Sequence, residues 1–419
     1  SPGFERYLMN LRGVLKSALA AALVCSITPV IANSEDAAPN SSSESSNLFA
    51  KDLDFGPYMA DLQRRIKRRW YPPVRHDSTR LVAAFKIYKD GIINYLKLLH
   101  PSGVPRADDA GLLAIYMAAP MRPLPDGAHD NVDVQFTFDY NVFPNPDALD
   151  ATIAKLQKNP DENADKLTKA FLQQASAYAN HHDYDKSQKT YKHAAAIVEK
   201  QHGINSIDMA SLLQSEARDL YCAKEDYAGA KDLLDQAMGI LKQGSHPVEL
   251  SHCEQNMAIL VAEPQGDWPT AEQLLTAAVD DAKQSKNLVA QMLAVAELAN
   301  CYAQENKNTQ ASALLAETLD TALTSQNDED VNAINEIRRL IFFLSRVDEK
   351  KADQISEEFL EKYDKRFGST SDQYRKILQL CVLLSDKTKD PEFFAKYGAK
   401  YDSSPASAPP TVAPASTKS

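Results

Sequence analysis

The chain has 419 residues, and its 57 Asp and Glu outweigh 46 Lys and Arg to give a net charge of −11. At roughly 100–200 residues per domain this length holds two or three domains, and the negative balance argues against a general binder of nucleic acid or other polyanions. With 44% hydrophobic residues, 25% charged and only 14 Gly, the composition is globular and helix-favouring rather than disordered or polytopic.

Residues 9–32 read as a signal peptide or amino-terminal anchor, with translation expected to begin at Met9. Arg12 and Lys16 precede an apolar run from Ser17 to Thr28, and Val30, Ile31 and Ala32 supply the small or aliphatic residues a signal peptidase needs. Cleavage is expected after Ala32, because an apolar run of about 12–16 residues falls short of the roughly 20 that span a bilayer as a helix. Residues 33–56, rich in Ser, Asn and Glu, lack apolar periodicity over most of their length and predict a flexible linker.

The first folded module is expected over residues 57–144. Leu62, Ile66 and Trp70 recur at helical spacing, and Pro72-Pro73 stop the helix. Leu81–Lys89 and Ile92–His100 are β-branched and aromatic stretches around Asp90-Gly91, a hairpin signal. Ala107–Ala119 carries Leu112, Leu113, Ile115 and Tyr116 in a helical pattern ended by Pro120; Val132, Val134, Phe136 and Phe138 then alternate with polar residues as a half-buried strand. The order helix-strand-strand-helix-strand predicts an α+β layer.

Ile66 with Trp70-Tyr71-Pro72-Pro73, the Asp90-Gly91 turn, Ser102-Gly103 leading to Asp109 and Ala114-Ile115, Pro120, Pro123 and Val132–Phe138 together resemble the carboxy-terminal domain of TonB and TolA. Those periplasmic proteins couple inner-membrane motors to the outer envelope. The resemblance implies a binding domain, not an enzyme, whose last strand receives an extended partner segment. Val132, Val134, Phe136, Phe138 and Tyr140 mark the candidate recruiting edge, since an edge strand offers unpaired N–H and C=O groups; the alternative is a strand that merely closes the sheet. The basic run Arg64, Arg65, Lys67, Arg68 and Arg69 reads as a solvated helix face.

Residues 145–400 repeat. The turns around Tyr184, Tyr227 and Trp268 align, and the register continues to Asn308 and Glu349 at intervals of about 40–43 residues. Ser187, Ala230, Ala271, Ala311 and Ala352 form one column of this register, and Ala194, Ala237, Ala278, Thr318 and Phe359 a second; Tyr178, Tyr221, Ala262, Tyr302 and Phe343 form a third. Small residues seven apart let paired helices approach while the aromatic column fills between them. The pattern resembles the tetratricopeptide repeat in its long-helix, kinesin-light-chain variety, and predicts an all-α superhelix. Ser371–Leu384 and Pro391–Tyr401 read as a sixth pair or cap. Residues 401–419, rich in Pro, Ala and Ser, are expected to be a disordered tail.

Register places Ser176, Asn180, Asp219, Asn256, Asn300 and Gln304 toward a concave first-helix face, with Lys169 its main cation. So few cations disfavour a clamp for a terminal carboxylate, leaving a peptide groove or an architectural spacer. Cys222, Cys253, Cys301 and Cys381 are expected to be buried free thiols, because helix offsets hold them beyond bridging range. His181-His182-Asp183, His246 and His252 lack zinc spacing, and no phosphate loop, nucleophile elbow or metalloprotease motif is present. The sequence therefore points to an exported, periplasmic or cell-envelope adaptor, binding protein partners without cofactor, metal or nucleic acid and without catalysis. The alternative is a TonB-type energy transducer retained by an uncleaved anchor.

Overall fold

The computed structural model describes residues 25–30, 54–70, 80–139, 145–325, 331–386 and 389–401. Residues 9–24 and 31–32 of the expected leader, most of the expected linker, the Pro72-Pro73 stop, Tyr140, the side chain of Cys222 and the tail beyond residue 401 lie outside these.

Apolar spacing builds the first module as anticipated. In α1 (Gly56–Lys67), Met59, Leu62 and Ile66 share one buried face. Beyond the helix, the Trp70 ring meets Phe138 edge-on at 4.7 Å. The hairpin β2 (Arg80–Tyr88) and β3 (Ile93–His100) turns at Asp90-Gly91, where Gly91 takes φ +87° and a Cβ would lie 2.3 Å from the Met121 carbonyl oxygen. That close approach requires glycine. Helix α2 (Pro105–Ala118) and strand β4 (Asn131–Asp139) complete the layer. Along β4, Val132, Val134, Phe136 and Phe138 alternate inward and are buried with Leu81, Phe85 and Ile115 in one core. This is the predicted helix-strand-strand-helix-strand order.

A further strand precedes it. Cys25–Val30, inside the expected leader, forms β1, and the antiparallel sheet runs β1-β4-β2-β3. Strand β4 is therefore interior to the sheet.

After a short helix α3 (Asp150–Leu156), helices pair in sequence. The pairs are α4 (Ala164–Asn180) with α5 (Tyr184–His202), α6 (Ile207–Lys224) with α7 (Tyr227–Gln243), and α8 (Pro247–Met257) with α9 (Trp268–Gln284). They continue with α10 (Leu288–Gln304) and α11 (Asn308–Thr324), then α12 (Val331–Val347) and α13 (Glu349–Phe367). Helix α14 (Asp372–Leu384) and a helical stretch Pro391–Tyr401 form the sixth unit. Each second helix of the first five pairs begins at a position the repeat register marked. Both columns of small residues are buried: Ala230, Ala271, Ala311 and Ala352 are fully inaccessible, and so are Ala194, Ala237 and Ala278.

The module keeps its own core and lends two residues to that of the array. Ile92 at the hairpin and Tyr116 of α2 are buried together with Ile334, Ile337, Ile341, Leu380 and Cys381 of the array.

Candidate functional site

Two surfaces were anticipated, a sheet edge and a helical groove, and packing alters both. Strand β4 pairs on one side with β2, from Arg80 opposite Asp139 to Tyr88 opposite Asn131. Its other side pairs with β1, from Cys25 opposite Phe138 to Val30 opposite Asp133, without a register shift. The side chains of Val132, Val134, Phe136 and Phe138 point into the core, so any recruiting by this strand is done by its backbone. The expectation of an open edge at residues 132–139 is corrected: a segment of the same chain covers it. Tyr140 is outside the described residues.

The far edge of the sheet is engaged at its first residue. Gln379 of α14 faces β3 and engages both backbone groups of Ile93, accepting from its N–H at 2.8 Å and donating to its carbonyl at 2.7 Å. A buried side-chain amide thus replaces a neighbouring strand, which leaves neither backbone group unsatisfied. Arg375 donates to the Asp90 carbonyl at 2.7 Å, and the rings of Tyr88 and Tyr401 lie 5.7 Å apart.

On α2, the Tyr116 hydroxyl donates to the Arg338 carbonyl at 3.1 Å. The Arg338 guanidinium returns bonds to the carbonyls of Tyr116 and Ala119, at 2.7 and 2.9 Å. Arg338 is fully buried, and desolvation pulls it down to about 10, so it remains a cation at neutral pH. Arg346 pairs with Asp109, and Arg106 pairs with Glu263 and, at 3.6 Å, with Glu297. Burial pushes Glu263 up to about 7 against the opposing pull of Arg106. Glu263 follows a π-turn, Ala258–Ala262, that ends α8 where the other repeats have an aromatic residue.

These contacts come from α10, α12, α14 and the end of α8, the first helices of the third to sixth pairs. The first helices of the back half of the array are therefore the ones in contact with the module. Nearer the start of the array, Ser176 and Asp219 do not face outward. The Ser176 hydroxyl and the Tyr191 hydroxyl each donate to Asp219 Oδ2 at 2.5 Å, tying α4, α5 and α6 together in a buried network. A polar residue in register for the groove is equally able to bridge neighbouring helices, and here that use wins. Asn256 is half-buried and donates to Gln214 at 2.8 Å, Asn180 and Asn300 are half-buried, and Gln304 and Lys169 are exposed.

Arg106, Arg338 and Gln379 escaped the sequence reading. One signal existed for Arg338, which stands at the apolar spacing of Ile334, Ile337 and Ile341; a cation in such a stripe marks a buried polar contact. In the basic run, Asp61 pairs with Arg64 at 3.7 Å, Arg65 at 3.0 Å and Arg122 at 3.1 Å, so part of its charge is balanced within the module. Cys253, Cys301 and Cys381 are free and buried. Among the described residues no group of three His, Cys, Asp or Glu side chains is placed to hold a metal, and no helix is long and apolar enough to cross a membrane.

Residues 55–138 match the family model described as TonB C terminal. The module is a TonB-like domain. Among solved structures, the chain is similar to a Podosopora anserina kinesin light chain with nearly identical TPR-like repeats. The identity there is 16%, over 48% of this chain and 97% of that one, with a TM-score of 0.35. It is similar to BtubC from P. vanneervenii at 11% identity, over 52% and 87% of the two chains, with a TM-score of 0.40. A signal transduction ATPase with a tetratricopeptide repeat sensor from Pyrococcus horikoshii shares 18% identity over 61% of this chain and 42% of its own, with a TM-score of 0.37. No curated protein matches the chain. The repeat character of the array is evident in its own helix spacing.

Proposed function

We propose that this protein is an exported scaffold of the cell envelope that recruits an extended segment of a partner protein to β4, with no catalytic step of its own. The observation that carries this reading is the pairing of β4 with β1: an edge that accepts six residues in unbroken antiparallel register has the geometry strand addition needs. The other sheet edge is engaged by Gln379 at Ile93. The array serves as the platform. A module fixed by buried contacts to four repeat units suits a rigid adaptor better than a tethered pulling arm. Export is supported by the basic region and apolar run of residues 9–32.

A photo-crosslinking residue at Gln135, half-buried on β4, tests the reading in cells. The expected result is an adduct with one envelope protein, lost when the crosslinker is moved to exposed Asp232 on α7. Fractionation of the same cells is expected to place the protein in the envelope. Crosslinks from Gln135 confined to this chain, or recovery in the cytosol, would end the proposal.

A further inference from the structure

The segment on the β4 edge is also the segment that sequence assigns to the export leader. Residues 25–30, Cys-Ser-Ile-Thr-Pro-Val, carry no charge and include the β-branched residues Ile27, Thr28 and Val30. Pro29 cannot donate a ladder bond and is confined to edge positions, which fits β1 at the outer side of the sheet. Helix α1 runs beside it. Val30 and Asp54 are joined by 23 residues, and a covalent connection of that length holds a strand at an effective concentration near millimolar. A partner strand arriving from solution must compete with that.

We infer that residues 25–30 are a resident placeholder for the β4 edge, and that cleavage of the chain after Ala32 removes it and opens the edge to a partner strand. This rests on the reading of β4 as the recruiting strand. The uncut chain has its exchangeable edge closed, and the processed chain has it open. Closure also has a protective consequence. An unpaired strand with Val132, Val134, Phe136 and Phe138 alternating is a template for edge-to-edge aggregation, and a leader strand masks it until processing. Among the residues whose burial is described, the core of the module begins at Met59, downstream of the cleavage position.

The test compares the full chain with residues 33–419 by amide hydrogen exchange, and titrates both with a fluorescent synthetic peptide of residues 24–31. Those backbone amides of residues 132–138 that point toward β1 are expected to exchange about tenfold faster or more in the shortened chain, while the alternate amides bonded to β2 keep their protection. The peptide is expected to bind it saturably, restore protection, and bind the full chain about tenfold more weakly. In the full chain, Ile27→Pro with Thr28→Pro is expected to reproduce the faster exchange. Neighbouring residues point their N–H groups to opposite sides, so the pair removes at least one ladder donor. Unchanged exchange in both altered chains, together with no peptide binding, overturns the inference. Should the edge open and bind the peptide while Gln135 captures no envelope protein, the placeholder stands and the adaptor reading falls. Equal partner crosslinking by both chains with unchanged exchange sinks the placeholder and leaves the adaptor intact.

Discussion

Asp353 shows how one buried carboxylate sets a pH response. It lies on α13, 5% exposed, with neither side-chain oxygen hydrogen-bonded among the described residues. Burial, then the nearby charges of Glu349, Asp390 and Glu357, push its pKa up from 3.8 to about 7, with Lys389 pulling the other way. Folded chains therefore hold a proton that unfolded chains have released between pH of about 4 and about 7. Proton linkage makes this contribution to stability complete below the lower value and lost as pH rises through the upper one. Asp353→Asn removes the charge and keeps the shape. Its melting temperature is expected to exceed that of the parent at pH 8 by a margin that shrinks as pH falls towards about 4; equal differences at pH 8 and at pH 4 would show that Asp353 does not titrate in this way. Arg338 is the opposite case, a buried cation whose Nη2 bonds two carbonyls and whose guanidinium lies 5.2 Å from the Tyr116 ring centre. Carbonyl dipoles and the ring face stabilise it in place of a carboxylate.

At the level of elements, helix starts were legible because their chemistry is local. Asp183, Asp226, Asp267 and Asp348 each stand one residue before a second helix and accept a backbone N–H three residues on, at 2.9–3.3 Å, satisfying donors that the helix leaves open. The fourth repeat breaks the column with Lys307, which pairs instead with Glu272 at 2.6 Å and Glu305 at 3.0 Å. The cap of β3 by Gln379 was not legible, since nothing within α14 distinguishes that glutamine from any other. Its contribution is measurable. Gln379→Leu fills the same space but leaves the buried N–H and C=O of Ile93 without partners, at about 1–3 kcal/mol each. Urea denaturation is expected to show a loss of about 2–5 kcal/mol. A loss below about 0.5 kcal/mol would mean that water or another group takes over the pairing.

Across the whole molecule, the sequence read as two modules joined in series, whereas the structure joins one of them to the back half of the other. Ile92 and Tyr116 are buried in the core of the third to sixth pairs, while the first pairs keep separate cores. Calorimetry of the full chain is therefore expected to show the TonB-like module and pairs three to six unfolding in one transition. Arg106→Ala with Arg346→Ala should shift that transition as a unit, and a separate module transition in the parent chain would contradict the coupling through Ile92 and Tyr116.

The elements, the repeat period and the alternation that turns Val132–Phe138 inward were legible in the residues alone, because apolar spacing and capping are properties of neighbouring residues. The sequence also exposed the TonB-like motif set. Only the tertiary structure decided which surfaces stay free. Whether Asp219 faces a groove or Tyr191, whether β3 meets solvent or Gln379, and whether β4 ends the sheet or carries Cys25–Val30 depend on groups 28 to 286 residues apart or on a strand far upstream. Exposure is a property of contacts between distant segments, and no local pattern encodes it.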